Sequence, residues 1–475
     1  MTRSQAPLFN LRGFFMAAFG AFLICWPIWL TGDAYIFADT KNYYHAGAEI
    51  WKILESLFPA ASSVETLGAG SQDIAVGTLA FDGKPRFGRS LVYPALFYPI
   101  VTWLGPLGLA WAHGTLVLFA LFALITPNML HKRWVLVVGF LVLAVFTSLP
   151  WRTVYMMPDI FAAVVIIFGA LLVGPFDRLT SGQQIVLTLL AAFAVATHYG
   201  NVPFAAAFLG LVLLWRLFEK RFALVPFIAG IFVAVSSPLF NLGASSAVLD
   251  APSATPLRLP ILLARSIQDG PGSEYLRENC DTEDWAICEA FEGRIPSSIR
   301  EFLWSDDGIN AQTPEMVQRI RQEELALVGY IFLAYPAQQS WSLSRNALRQ
   351  LVRFGQGDIN STSDFEAYLA GAEIPELSDG GLHTDFKDVV EISAIIGAFG
   401  LLSMLFFARQ EQRRLIFAVV LGLACNAIVF GGLSAPVDRY QARVIWLVPA
   451  LVFLILAEIG ARRRNGLSLQ QAGSA

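Results

Sequence analysis

Apolar residues fall in long uninterrupted blocks along this chain, separated by short charged clusters. A stretch of roughly 17–25 apolar residues is enough to cross the hydrocarbon core of a bilayer. Such blocks stand at 14–31, 104–126, 134–150, 157–174, 184–200, 203–218, 222–240, 389–408, 414–433 and 441–460. The pattern predicts an all-α, polytopic transmembrane bundle of about ten spans. The block 325–343 is shorter and broken by Pro336, and it predicts a helix on or leaning into the membrane surface. No cleavage site of small residues follows the bulky run Phe14–Leu30, so an uncleaved first span is expected rather than a signal peptide.

Between the first two blocks lie residues 32–90, and 241–388 form a second long polar segment. From Asp39 the apolar or aromatic positions Tyr43, Ala46, Ile50, Ile53, Leu54 and Leu57 recur at helical spacing. They predict an amphipathic helix over 39–58 lying on the membrane surface. The segment 241–388 reads as short helices (315–329, 341–354) and loops, too poor in alternation for a β domain. The division expected is thus 1–240 as an N-terminal membrane module, 241–388 as an outer helical-loop region, and 389–475 as C-terminal spans and tail.

Charge then orients the bundle. Arg3 and Arg12, Lys132 and Arg133, Arg178, Arg216 with Lys220 and Arg221, Arg409 with Arg413 and Arg414, and Arg462–Arg464 all fall on one side if the number of spans is even. By the positive-inside tendency that side is cytoplasmic, with both termini. The composition agrees: 55% hydrophobic and 15% charged residues, against about 25% charged in soluble domains. Basic residues form no patch interleaved with aromatics, so nucleic-acid binding is not expected.

On the opposite side stands a second set of ionisable residues. Asp33 and Asp39 follow the first block; Arg86 and Arg89 precede the second; Arg152 lies in the short turn 150–156 and Asp159 begins the fourth block after it; His198 ends the fifth; Arg439 and Arg443 precede the last. Each alone has a plain reading: an N-cap at Asp39, a snorkelling arginine, a structural histidine. Arginines retained together on the face where they are normally depleted point instead to an anionic ligand, phosphate above all, whose geometry the guanidinium matches. Cys280 and Cys288 are spaced for a local disulfide in an oxidising compartment, while Cys25 and Cys425 sit inside apolar blocks. No HExxH, Walker or GxGxxG pattern is present, and "DTED" at 281–284 reads as a solvated acidic patch, so no metal or nucleotide cofactor is expected.

"ADTKNYY" at 38–44 and "GRSLVYP" at 88–94 resemble the first outer loop of polytopic GT-C glycosyltransferases, "MPDIFA" at 157–162 resembles their later Pro-acid motif, and "THYGN" at 197–201 their His-containing motif. The likeness covers the layout of most of residues 14–240. The tandem acidic pair usual in that family is replaced by the separated Asp33 and Asp39. The resemblance implies inverting transfer of a sugar from a polyprenyl-phosphate carrier to a glycan or lipid acceptor of the cell envelope, at the periplasmic face of a bacterial inner membrane. The chemistry of the residues fits that reaction: Asp39 is the expected general base with Asp33 as rival, Asp159 positions the acceptor or His198, and Arg89, Arg152, His198, Arg439 and Arg443 are the candidates for donor phosphate or sugar. Two other readings share the outward arginines: a polysaccharide polymerase or ligase, and a transporter or flippase of lipid-linked glycans. The absence of an internal repeat weighs against the transporter.

Overall fold

The computed structural model describes residues 6–57, 90–126, 129, 133–249, 253–255, 258–371 and 381–472. The described residues are 77% helix and 2% strand, an all-α fold. Among them six helices are long and apolar enough to cross a membrane: Val92–Phe122, Asn201–Phe218, Leu224–Ser246, Leu382–Phe407, Gln410–Gly432 and Arg439–Ala461. Four shorter apolar helices occupy the other predicted positions: Leu11–Ile24, Trp134–Phe146, Pro158–Val173 and Ser181–Ala196. The first is short because the chain breaks at Cys25 before resuming as Trp26–Thr31.

The helix Ala162–Val173 is apolar on every side and buried on every side, so it is the centre of the bundle. Its glycine lets a neighbour close in: a Cβ at Gly169 would lie 2.3 Å from the Phe208 ring. Peripheral helices behave oppositely. Leu224, Ile228, Ile231, Leu239 and Phe240 are exposed along one helix, and Ile396, Phe399, Phe406 and Phe407 along another. Contiguous apolar surface of this extent marks contact with lipid rather than water.

The polar segments collect at two ends. At one, Gln183 donates to the carbonyls of Ala6 (2.9 Å) and Phe9 (3.0 Å), Arg216 pairs with Asp177 (2.9 Å), Arg414 with Glu219 (2.8 Å), and Arg178 with Glu411. At the other end meet residues 33–40, 148–159, 197–201, 353–362 and 437–443, as described below.

The predicted surface helix is present as Thr40–Leu57, packed along the first half of Val92–Phe122. A Cβ at Gly47 would stand 2.3 Å from the Pro94 carbonyl oxygen, so the two backbones touch there. Val92–Phe122 itself kinks at Gly105, whose φ of +66° only glycine adopts cheaply, followed by Pro106.

The segment 241–388 is not one unit. The helix Leu224–Leu249 runs beyond residue 240. Residues between Leu263 and Ile331 build a separate hydrophobic core, carried by Ile261–Asp269, Pro271–Asn279, Ala286–Ala290, Ile299–Trp304 and Pro314–Ala334. Within it Cys280 and Cys288 are joined by a disulfide (Cα–Cα 5.4 Å), and Glu324 accepts from the N–H groups of Leu262 (2.8 Å) and Leu263 (3.3 Å) and pairs with Arg258. Residues 354–371 instead join the main core through Ile359, Phe365, Tyr368 and Leu369. Two short strands, absent from the sequence expectation, make the join. β1 (Ala34–Ile36) pairs antiparallel with β2 (Asn360–Thr362) in the register Ala34↔Thr362, Tyr35↔Ser361, Ile36↔Asn360. Three residues per strand are too few for periodicity to betray them.

Candidate functional site

The two strands fix the site. Tyr35 also bridges to Tyr155, and the Met156 N–H donates to the Tyr35 carbonyl at 2.9 Å. Three distant segments are thereby brought side by side: 33–40, 155–159 and 358–362. Thr40 ties the second to the surface helix, its hydroxyl donating to the Met156 carbonyl (3.3 Å). Tyr368 donates to the Phe37 carbonyl (2.7 Å) and closes the same junction.

Asp159 sits at the N-terminal end of the central helix, 1% exposed. Its Oδ1 is 3.4 Å from Arg443 Nη1, and Arg443 has no exposed surface. Arg443 Nη2 donates to Asn426 Oδ1 (2.9 Å), and the Asn426 amide donates to the Tyr440 carbonyl (2.7 Å) and Gln441 Oε1 (2.9 Å). The Arg443 guanidinium also lies 3.8 Å from the Phe430 ring centre, a cation–π contact. Phe430 belongs to the π-helical turn Ile428–Gly432. A π turn inserts a residue into the helix and turns side chains to directions a regular helix denies them. Here it sets Phe430 between Arg443 and His198, whose ring centre is 5.9 Å from that of Phe430. Gly200 leaves room for this: a Cβ there would be 2.4 Å from Phe430 and 3.0 Å from His198 Nδ1.

Arg439 completes the group. Its backbone N–H donates to Asp358 Oδ2 (2.9 Å), and its guanidinium packs on Phe37 (4.2 Å) and Tyr440 (4.9 Å). It feels the charges of Asp159 and Asp39. Arg152, fully buried, donates through Nη2 to the Gly355 carbonyl (3.0 Å) and to Asp358 Oδ1 (3.2 Å). The Tyr155 hydroxyl donates to the Asp358 carbonyl (3.3 Å). Asp159 in turn is acted on by Arg439, Arg443, His198 and Arg152. Asp39, Arg152, Asp159, His198, Arg439 and Arg443 therefore share one locus.

Several polar atoms of this locus are buried without a protein partner among the described residues: Asp159 Oδ2, Arg152 Nε and Nη1, Arg439 Nη1 and Arg443 Nε. Buried donors and acceptors are ordinarily satisfied, so this concentration of unsatisfied guanidinium nitrogens sets the locus apart.

One expected residue, Asp33, stands elsewhere. Asp33 lies beside Thr31 and Tyr35: its N–H donates to Thr31 Oγ1 (3.1 Å) and its charge acts on Tyr35. The glycine turn at Gly32 ends the first apolar run and leaves Asp33 at the far end of β1 from Asp39. Arg89, with Arg86, lies outside the described residues. The Cys280–Cys288 bridge belongs to the separate outer core.

Two residues of the site were not foreseen. Asp358, in "GQGDIN", carries no motif, and only the strand pairing after it brings it in. Asn426 had a usable signal, as an amide inside the apolar run "LACNAIVF". Among the described residues no group of three His, Cys, Asp or Glu side chains is arranged to hold a metal ion. No known family model matches the chain, and neither a curated protein nor a solved structure is similar to it.

Proposed function

We propose that this chain is a membrane glycosyltransferase that moves a sugar from a polyprenyl-phosphate carrier to a glycan or lipid acceptor at the membrane face bearing the Asp159–Arg443 locus. In this reading the ten apolar helices all span, with both termini cytoplasmic, and that face is periplasmic. The observation that carries it is the set of buried arginine nitrogens left unsatisfied at one end of an apolar bundle. A lipid-linked phosphate lies at that depth, and its charge answers three guanidinium groups held in a low-dielectric surround.

The geometry supports a set of roles. Asp159 and Asn426 hold Arg443, and Asp358 holds Arg152 and the Arg439 backbone, so the cationic wall is preorganised. Asp39 is half-exposed and within the field of Arg439, which suits a general base. The acceptor hydroxyl loses its proton to the Asp39 carboxylate as its oxygen attacks the anomeric carbon. The bond from that carbon to the phosphate oxygen breaks, the electron pair leaves with the phosphate, and the guanidinium groups stabilise the departing charge. A single displacement of this kind inverts the anomeric centre. The decisive experiment supplies the purified full chain in lipid with polyprenyl-phosphate sugars and follows the cell-envelope glycans by mass spectrometry. Sugar-dependent product that disappears in Asp39→Asn supports the reading; product formed equally by that variant removes the base, and transport of intact donor without transfer replaces the enzyme with a flippase.

A further inference from the structure

The helices Pro314–Ala334 and Pro336–Leu351 carry an apolar stripe that no described residue covers. On the first, Val317, Ile320, Glu324, Leu327 and Ile331 face the outer core. Its other side is polar or charged only as far as Arg319, Gln322 and Glu323; beyond these Leu325, Phe332 and Leu333 (76% exposed) take over. On the second, Trp341 (68%), Leu348 and Val352 (73%) repeat the stripe at helical spacing.

Three observations say what covers it. The second helix is fastened at the end of a membrane-length helix: a Cβ at Gly431 would meet Gln350 Cβ at 2.3 Å, and Gln350 exchanges two 2.9 Å hydrogen bonds with Val437. The charge also changes. From Leu325 to Gly357 there is no acidic residue, whereas Arg345, Arg349 and Arg353 lie along the exposed Leu348–Val352 segment. Finally, Tyr330, Trp341 and those arginines are the residue types that settle at a headgroup boundary.

We infer that Leu325–Val352 is a lipid-seated anchor, with its apolar stripe in the leaflet nearest the site and Arg349 at the headgroups, anionic ones preferred. The anchor holds the loop that delivers Asp358 at membrane height. It rests on membrane embedding alone and stands or falls independently of sugar transfer.

The test places a bimane label on single added cysteines, Leu333→Cys, Leu348→Cys, Val352→Cys and Glu292→Cys, in the full chain reconstituted into phosphatidylcholine–phosphatidylglycerol vesicles. Cys25 and Cys425 are buried and Cys280 and Cys288 are bridged, so the added thiol takes the label. Doxyl-labelled acyl chains should quench positions 333, 348 and 352 more than aqueous iodide does, with the order reversed at 292, which is fully in water. Doxyl-phosphatidylglycerol should quench position 348 better than doxyl-phosphatidylcholine, and Arg349→Gln should cut that preference by up to about fivefold, the factor one basic residue contributes near an anionic surface. Iodide quenching at 348 and 352 equal to that at 292 overturns the anchor. So does cross-linking of two copies through position 348, which assigns the stripe to self-association. An unchanged lipid preference in Arg349→Gln overturns the headgroup contact.

Discussion

The two ends of the bundle use the same residue types to opposite effect. At the end holding residues 173–183, 216–221 and 409–414, arginines are held by carboxylates of the chain: Arg178 by Glu411, Arg216 by Asp177, and Arg414 by Glu219, which Arg221 also reaches at 3.8 Å. Arg178 and Glu411 are about half exposed, where such a pair contributes roughly 0–1 kcal/mol. One buried guanidinium nitrogen there, Arg216 Nε, lacks a partner. At the other end Arg353 has its own partner in Asp438, but Arg152 and Arg443 are buried and Arg439 partly so, Asp358 serves both Arg152 and the Arg439 backbone, and the buried nitrogens Arg152 Nε and Nη1, Arg439 Nη1 and Arg443 Nε are left over. Charge satisfied within the chain is a clasp. Charge buried and left short of partners is, on the proposed reading, where a ligand would bind, because the chain has already met part of the desolvation cost.

The comparison can be broken by substitution. The largest effect is expected from Asp39→Asn, which should lower sugar transfer by about 10²–10⁴-fold, the ordinary contribution of a general base, with an unchanged melting temperature. Next comes Arg443→Ala, which breaks the buried Asp159–Arg443 pair; such a loss costs up to about 3–5 kcal/mol, lessened here by Arg439, and is read as a marked fall in thermal stability in detergent. The matched change at the other end, Arg178→Ala, should shift stability by less than about 1 kcal/mol. If the two arginines proved equivalent, the contrast between the ends would be lost. Cys280→Ser with Cys288→Ser should loosen only the outer core, by about 2–3 kcal/mol for so short a loop, seen as earlier proteolysis of residues 261–335 with the apolar helices intact. Smallest of all, Asp33→Asn should alter stability by no more than about 0.5 kcal/mol and leave transfer untouched, since Asp33 lies beside Tyr35 and away from Arg439.

Much of this arrangement was legible in the pattern of the chain, for a physical reason. Lipid leaves a one-dimensional signature, so all ten apolar blocks can be found as helices, although only six reach membrane length in the structure. The surface helix Thr40–Leu57 was legible because its period is local. Convergence of Asp159, His198, Arg439 and Arg443 on one end was legible because each sits where a block ends, and alternate ends lie on the same side. What escaped depends on long-range pairing. Asp358 enters only through the register Ile36↔Asn360, which no local propensity encodes. Asp33 and Asp39 look equivalent in sequence, and three residues of β1 separate their environments. The π turn that aims Phe430 is likewise invisible, since "AIVFGG" suits an ordinary helix end.

The central claim is that the leftover nitrogens are there for a lipid-borne phosphate. Native mass spectrometry of the full chain, loaded with polyprenyl phosphate in micelles, tests it most directly. The wild type should retain the lipid, and Arg439→Gln should weaken retention by about 10–100-fold, the worth of one charge-assisted contact, while Arg178→Gln leaves it unchanged. Equal retention by all three proteins would contradict the account.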